Sequence, residues 1–166
     1  MVLLAGDAPK SILFCRDKNL EREIWDGYRY GPDAAREAFG FDEAYSMDKL
    51  DDMMPQLMSN QHSVFFAPGI EPAWDARVNG WLNAVRALVR TGITAPAEIR
   101  DVHVLLDEMR LIKDASEVAT MRRAAQISTD AHKRAMRATA PGRYEYQIEA
   151  ELLHEFRRCG AQAPAY

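Results

Sequence analysis

The sequence predicts an α/β fold in its first part and a helical segment in its last part. Short apolar runs with the character of strands alternate with amphipathic helical stretches up to about residue 112, an alternation typical of α/β units. From residue 113 onward, the apolar residues recur mainly at steps of three and four, the spacing of one face of a helix. We therefore predict two domains, which span residues 1–112 and residues 113–166.

Two apolar runs, residues 2–5 and 11–15, predict the first strands, and a Gly- and Pro-containing turn joins them. Because the chain begins on a strand, we expect the α/β domain to extend upstream of the first residue. A short helix is predicted over residues 34–39, and Gly40 follows it in the position that favours a left-handed helix end. Residues 41–45 supply a short strand or an extended turn.

A helix and a strand follow in the middle of the predicted α/β domain. The helix runs toward Met58 from a cap at Ser46 or Asp48. Pro55 lacks a backbone N–H, so it predicts either a kink or a later start of this helix. Residues 62–67 are the clearest strand of the sequence, since they are apolar and end before a Pro-Gly pair.

The strongest helical pattern of the first domain covers residues 71–91 and ends at Gly92. Residues 94–97 form a proline-containing loop. After this loop we expect another helix, which begins at Glu98 or Asp101 and carries the last apolar face of the domain.

The second domain is predicted to open with a long helix over residues 114–139. Asp114 is a good N-cap residue, and Glu117 lies three positions later, as in a capping box. Pro141 and Gly142 stop this helix, and a second helix follows over residues 144–159. The long helix has an apolar face that consists of Val118, Met121, Ala124, Ile127, Ala131, Ala135 and Ala138. We expect the apolar side chains of the second helix to lack partners and to promote self-association; they are Ile148, Leu152, Leu153 and Phe156.

Composition excludes several classes of protein. The formal net charge of -4 gives no basic surface for nucleic acid. No apolar run approaches the roughly 18–20 residues that a membrane span needs. Two cysteines, Cys15 and Cys159, do not make a disulfide framework, and they predict reduced thiols in a cytoplasmic protein.

The sequence contains no motif that predicts a catalytic or metal site. His154 and Glu155 are adjacent metal-ligand types, but a helical site needs a second ligand one turn further on, where the chain has Arg158. His62 and His103 have no acidic or cysteine partner at the spacing of a known motif. We therefore predict that this chain contributes neither catalytic residues nor metal ligands.

Trp25 is the one candidate for a contact with substrate. Residues 16–23 are strongly charged and predict a loop, and we expect Trp25 to lie in the aromatic and glycine-rich continuation of that loop, close to Gly27 and Tyr28. Two interpretations are open: the indole packs down and holds the loop, or it lines a binding surface.

Several stretches together resemble a known family. They are EMRLIKDASEVATMRRAAQIS at residues 108–128, PGRYEYQIEAELLHEFRRCGAQAPAY at residues 141–166, EIWDG at residues 23–27 and TAPA at residues 94–97. This ordered set is similar to aminopeptidase P, the Xaa-Pro aminopeptidase, of the creatinase, prolidase and methionine aminopeptidase group with the "pita-bread" fold.

The resemblance implies a fold and a function. The fold is a partial creatinase-like N-terminal α/β domain followed by the first two helices of the pita-bread α+β domain. The parent enzyme would be an oligomeric metallopeptidase that uses two divalent metal ions, usually manganese, to remove the N-terminal residue from peptides with proline in the second position. In that family all the metal ligands follow the segment that ends here at Tyr166, so we expect this chain alone to be an inactive fragment.

The resemblance also implies a place for Trp25, at the mouth of an active site in a neighbouring subunit. The alternative is a non-catalytic module of the creatinase N-terminal-domain type, which binds peptides or mediates oligomerisation. A reading frame that continues beyond Tyr166 into a segment with Asp, His and Glu ligands would decide for the enzyme.

Overall fold

The computed structural model describes residues 1–164 of the chain. Ala165 and Tyr166, the end of the predicted second domain and of its sequence resemblance, lie outside the described residues. The chain forms two compact units, Met1–Val104 and Leu105–Tyr166. The functional domain boundary between residues 112 and 113 stays a prediction.

Five short strands form two sheets in the first unit. Strands β1 (Val2–Leu4), β2 (Lys10–Cys15) and β3 (Glu43–Ser46) lie in that order, with β1 antiparallel and β3 parallel to β2. Strands β4 (Ser63–Phe66) and β5 (Glu98–Asp101) form a separate parallel pair. A parallel pair needs a crossover connection, and helices lie in both of these connections.

The helices of the first unit are α1 (Leu20–Asp26), α2 (Pro32–Phe39), α3 (Leu50–Met58) and α4 (Pro72–Ala87). Helix α5 (His103–Leu111) follows β5 and begins in the first unit but lies mostly in the second. Helices α1 and α2 connect β2 with β3, and α4 lies between β4 and β5 in the chain. The first unit therefore alternates strands and helices, as its sequence pattern predicts.

Local sequence signals account for several helix ends. Gly40 follows α2 with a φ of 71°, the left-handed conformation that glycine adopts without strain. Ser46 caps a 3₁₀ turn over Met47–Lys49, and α3 begins only at Leu50. The helix thus begins later than its pattern suggests, yet Pro55 still lies inside it, and a kink at Pro55 stays a prediction.

One apolar core lies between β2, α3 and α4. Ile12 and Phe14 contribute from the sheet, while Leu82 and Val85 contribute from α4 and are almost completely buried. The remaining buried members are Leu50, Met58, Val78 and Trp81. This core fixes β2, the strand from which the chain leaves for α1.

The second unit contains a pair of helices, α6 (Ala115–Ala138) and α7 (Glu145–Arg158), which pack against each other. The predicted capping box at the start of α6 is confirmed: Asp114 Oδ1 accepts from the backbone N–H of Glu117 at 2.8 Å, and Glu117 Oε2 accepts from that of Asp114 at 2.8 Å. The hydrogen bond from the Glu117 N–H, together with one from the Ser116 hydroxyl, lowers the pKa of Asp114, because both stabilise its carboxylate.

The loop predicted over residues 16–23 is only partly correct, because α1 begins at Leu20. Asn19 caps this helix and accepts from the backbone N–H of Arg22 at 3.0 Å. The helix has only seven residues, and its two aliphatic residues one turn apart, Leu20 and Ile24, are too few to give a sustained helical pattern.

The helix predicted from Glu98 or Asp101 is wrong over its first residues, which form β5. These four residues pair with β4, and that non-local contact decides their conformation. The helix begins at His103, whose backbone N–H donates to Asp101 Oδ1 at 2.9 Å.

The apolar side chains of the last helix are not left without partners. Phe156 is buried, and Ile148, Leu152 and Leu153 are half-buried, because α7 packs on α6. The first half of the predicted α6 face is different, since Val118 and Met121 remain exposed. The expected lack of partners on the last helix is therefore wrong, while self-association of the chain stays a prediction.

None of the helices in residues 1–164 has the length and apolar character required to cross a membrane.

Candidate functional site

Trp25 lies in the last turn of α1 and projects away from the first unit. Its side chain and backbone are 84% exposed, an unusual value for a tryptophan. The expected position of Trp25 in a loop was wrong, because the residue belongs to a helix. We call residues 18–31 the Trp25 segment: they leave the end of β2, form α1, and return to the start of α2.

Polar contacts connect the two arms of the Trp25 segment, which are residues 18–24 before the tryptophan and residues 26–31 after it. Lys18 Nζ donates to Glu23 Oε1 at 2.9 Å and to the carbonyl oxygen of Arg29 at 3.1 Å. The same ammonium lies 4.1 Å from the centre of the Tyr28 ring, within the range of a cation–π contact. The hydrogen bond to Glu23 raises the pKa of Lys18, because it stabilises the charged ammonium.

The turn after Trp25 has its own ion pair. Gly27 ends α1 with a φ of 85°, and its N–H donates to the carbonyl of Glu23. Arg29 Nη2 then reaches back to Asp26 Oδ2 at 2.6 Å. This pair closes a tight turn immediately after Trp25.

Aromatic rings continue from this turn toward α2. Tyr28 meets Tyr30 edge-on with ring centres 4.9 Å apart, and Tyr30 meets Phe39 at 5.0 Å. Several side chains of the Trp25 segment and α2 form an exposed apolar surface, which consists of Leu20, Ile24, Trp25, Tyr28 and Phe39. Exposed aromatic side chains with polar neighbours are typical of surfaces that bind other molecules.

A shallow groove of about 350 Å³ lies beside this surface. Leu13, Ala35, Phe39 and Phe41 supply apolar walls, and Arg29 lies at its edge. Arg29 Nε is buried and has no hydrogen-bond acceptor among residues 1–164. The groove therefore has mainly apolar walls, with the Arg29 side chain among its lining residues.

The residues that the structure describes do not fit a metal centre. Glu155 is buried and forms ion pairs with Arg158 and Arg134, the latter at 3.6 Å between Arg134 Nη1 and Glu155 Oε2. The hydrogen bond from Arg158 lowers the pKa of Glu155, since it stabilises the carboxylate. Its oxygens already serve two guanidinium groups, and the adjacent His154 is exposed.

A metal ion would need several such ligands close together. Residues 1–164 contain no group of three His, Cys, Asp or Glu side chains that could hold an ion. His103, one of the histidines that the sequence leaves without a partner, instead contacts Asp101 at 2.8 Å. We derive no metal-dependent step from this chain.

Lys18 is the residue of the site that sequence reasoning missed. Its partners lie 5, 10 and 11 positions further along the chain, and only the closure of the segment brings them together. A Lys–Glu separation of five is not a helical pairing distance, so the sequence offered no signal for this contact.

Two protein families match separate parts of the chain. Residues 1–66 match the family described as "Aminopeptidase P, N-terminal domain". Residues 119–166 match the family described as "Metallopeptidase family M24". The two matches occur in the order in which the sequence patterns predict the two domains.

Relatives match the whole chain. It is 41% identical to a Xaa-Pro aminopeptidase of Escherichia coli (strain K12), with 100% of this chain and 38% of that protein covered. It is 33% identical to a Xaa-Pro aminopeptidase of Haemophilus influenzae, with 100% of this chain and 36% of that protein covered. The chain thus spans little more than a third of the length of these relatives.

Solved structures show the same fold. Aminopeptidase PepP of Pseudomonas aeruginosa is 44% identical, with a TM-score of 0.89 over 93% of this chain and 35% of that one. The low pH form of aminopeptidase P from E. coli is 39% identical, with a TM-score of 0.92 over 99% of this chain and 38% of that one. These similarities confirm the predicted fold class. Over its whole length, the chain is therefore related to the amino-terminal part of the aminopeptidase P family.

Proposed function

We propose that this chain is the amino-terminal part of a Xaa-Pro aminopeptidase, a metallo-exopeptidase that removes the first residue from peptides with proline in the second position. The observation that carries this proposal is the 41% identity over the entire chain to a relative of that name. The order of the two family matches supports it, since an N-terminal domain is followed by the start of a metallopeptidase domain.

The two domains have different roles in this function. Residues 1–112 shape the mouth through which peptides enter and contribute to a homo-oligomer. Residues 113–166 begin the pita-bread domain, and residues outside this chain hold two divalent metal ions, manganese in this proposal. The enzyme acts in the cytoplasm, where Cys15 and Cys159 remain as the free thiols seen here.

Within this function, we assign Trp25 to the substrate mouth. Its indole is a flat apolar surface on which the residues after the proline can pack, and its N–H can orient a peptide carbonyl. The high exposure of Trp25 supports this role over that of a packed loop residue. In this role Trp25 contacts residues that follow the proline, beyond the scissile bond, so it acts on binding rather than on the chemical step.

We expect the purified 166-residue chain to release no residue from Xaa-Pro peptides, with or without manganese, since its described residues supply no metal-ligand group. The longer polypeptide of the same reading frame should be active in the same assay. Activity of the short chain that a chelator abolishes would contradict this prediction. So would a stoichiometric metal site tighter than about 1 μM, or about -8 kcal/mol, measured by calorimetry.

The same pair of proteins tests the alternative of a non-catalytic peptide-binding or oligomerisation module. A reading frame that ends at Tyr166, together with a stable chain that binds peptides without cleaving them, would favour the module. A frame that continues into a segment with metal ligands and a metal-dependent activity would favour the enzyme.

We expect Trp25→Ala in the longer enzyme to raise KM for peptides of four or more residues about tenfold, or about 1.4 kcal/mol, because the apolar wall is lost. The kinetics on an Xaa-Pro dipeptide and the value of kcat should change little. Steady-state kinetics on a series of peptide lengths measures both effects.

Trp74→Ala is the matched control for this variant, since Trp74 is a partly exposed tryptophan of α4 outside the Trp25 segment. It should leave the dependence on peptide length unchanged. If Trp25→Ala affected all peptides equally, or only lowered the amount of folded protein, Trp25 would be a packing residue.

A further inference from the structure

We propose that Lys18 is a positioning residue that holds the Trp25 segment in the conformation from which Trp25 projects. This inference rests on the proposed function, because it explains how the substrate mouth keeps its shape. Nothing in the sequence pattern or in the family matches assigns a role to Lys18.

Helix α1 cannot hold its own position through apolar packing. It buries none of its seven residues, and its apolar side chains Leu20 and Ile24 are exposed. Isolated helices shorter than about 12 residues are marginal in water, so α1 needs contacts from outside itself. Those contacts must be polar, and they converge on Lys18.

The ammonium of Lys18 contacts the chain on both sides of Trp25. On the side before Trp25, it donates to both carboxylate oxygens of Glu23, at 2.9 and 3.2 Å. On the side after it, Lys18 donates to the carbonyl of Arg29 and lies over the ring of Tyr28. Charge-assisted hydrogen bonds are the stronger class, and three acceptor atoms around one ammonium use its full donor capacity.

The chain next to Lys18 is itself fixed to the sheet. Asp17 Oδ2 accepts from the Ser46 hydroxyl at 2.7 Å, and Ser46 is the last residue of β3. Lys18, the first residue of the segment, is thus held beside the body of the first unit by its neighbour Asp17. The ion pair between Asp26 and Arg29 closes only the turn after Trp25, whereas the contacts of Lys18 join the start of the segment to its end.

Gly31 provides a second observation for a close approach at Lys18. A Cβ atom placed on Gly31 would lie 3.3 Å from both the backbone nitrogen and the Cβ of Lys18. Gly31 also has a φ of 74°, which glycine adopts readily. The arm after Trp25 therefore passes directly against Lys18, whose side chain contacts both arms.

The link matters for substrates because a binding surface that is already ordered loses less entropy when a ligand arrives. Without Lys18, α1 would have to be ordered by each peptide that packs on Trp25. The effect should appear in KM for peptides long enough to reach Trp25, whereas the chemical step on a dipeptide should not change.

Lys18→Met removes the charge and the donors but keeps most of the aliphatic stem. In the longer enzyme, we expect it to raise KM for long peptides about twofold to tenfold, the range of the ordering cost of one side chain. Dipeptide kinetics should be unchanged, and Lys18→Arg should restore most of the loss. Lys49→Met is the matched control, because Lys49 also faces a tyrosine ring, that of Tyr45, but lies outside the segment.

A combined variant separates positioning from an independent contact with the peptide. If Lys18 acts by placing Trp25, then Lys18→Met should add nothing to the KM of an enzyme that already carries Trp25→Ala. Fully additive effects, or wild-type kinetics of Lys18→Met in an enzyme that is sensitive to Trp25→Ala, would overturn the proposal.

Hydrogen exchange of the 166-residue chain tests the link without any enzyme assay. Lys18→Met should accelerate amide exchange in residues 20–29 and leave the rest of the first unit unchanged. Glu23→Gln should give a smaller change of the same kind. Unchanged exchange in both variants would refute the role of Lys18, whereas an inactive longer polypeptide would refute only the proposed function.

Discussion

Replacement of Leu82 by alanine should lower the free energy of unfolding of the first unit by about 2–5 kcal/mol, the range measured for leucine-to-alanine changes in tightly packed cores. Leu82 is 1% exposed and lies in the core between β2, α3 and α4. The change removes three buried carbon atoms and leaves a cavity whose walls belong to three different elements. Such a site cannot collapse easily, so we expect a value in the upper half of the range.

Chemical denaturation combined with hydrogen exchange measures this loss and assigns it to the first unit. Leu88→Ala is the control, because Leu88 follows the same helix but is 39% exposed. It should cost well under half as much as Leu82→Ala. Equal losses for the two variants would mean that burial on α4 does not determine the stability of this unit.

The same core connects stability to the candidate site. Ile12 and Phe14 of β2 belong to it, and β2 ends at Cys15, three residues before Lys18. Strand β2, which precedes the Trp25 segment, is therefore fixed by buried apolar contacts, whereas the segment itself is fixed by exposed polar contacts. Mutations in the core should unfold the unit, whereas mutations at Lys18 should loosen only the segment.

The elements that the sequence predicts correctly have local signals. Helices α4 and α6 combine sustained helical periodicity with recognisable ends, and the capping box of Asp114 and Glu117 is visible as a pattern of residues. Gly40 and Gly92 mark helix ends because a left-handed residue is required there. These features need no information about the rest of the fold.

The elements that the sequence does not predict depend on partners far along the chain. Strand β5 has only four residues, and it is a strand because β4 lies beside it. Helix α1 has a recognisable cap at Asn19, but its seven residues are too few for a sustained helical pattern, so the charged segment was predicted as a loop. Pairing between distant strands and hydrogen bonds between polar side chains do not produce a regular spacing of apolar residues. The sequence pattern therefore does not reveal them.

The candidate site shows the same division. Trp25 stood out from its neighbours because a tryptophan near glycine and tyrosine is conspicuous in any sequence. Its exposure and its place on a helix were not predicted, since the spacing of residues does not show how the segment closes on itself. A lysine in a charged stretch looks like any other solvated side chain until its three partners are known.

The contact between α6 and α7 determines whether the second unit is a stable structure by itself. Phe156 is buried on α7, and Ala131 and Ala135 are buried on the facing helix. Small alanine side chains allow a close approach of the two helices. At the edge of this contact, Arg134 Nε donates to Glu151 Oε2 at 2.6 Å and adds a polar connection.

Phe156→Ala should therefore destabilise the second unit by about 3–5 kcal/mol, because it removes the largest apolar side chain that α7 buries. Hydrogen exchange should show faster exchange throughout α6 and α7, with the first unit protected as before. Tyr146→Ala is the control, since Tyr146 lies on the same helix but is largely exposed, and it should cost about 0.5 kcal/mol or less. If Phe156→Ala left the protection of α6 and α7 intact, the packing of these two helices would not be what holds the unit together, and the original expectation of unpartnered helices would be restored.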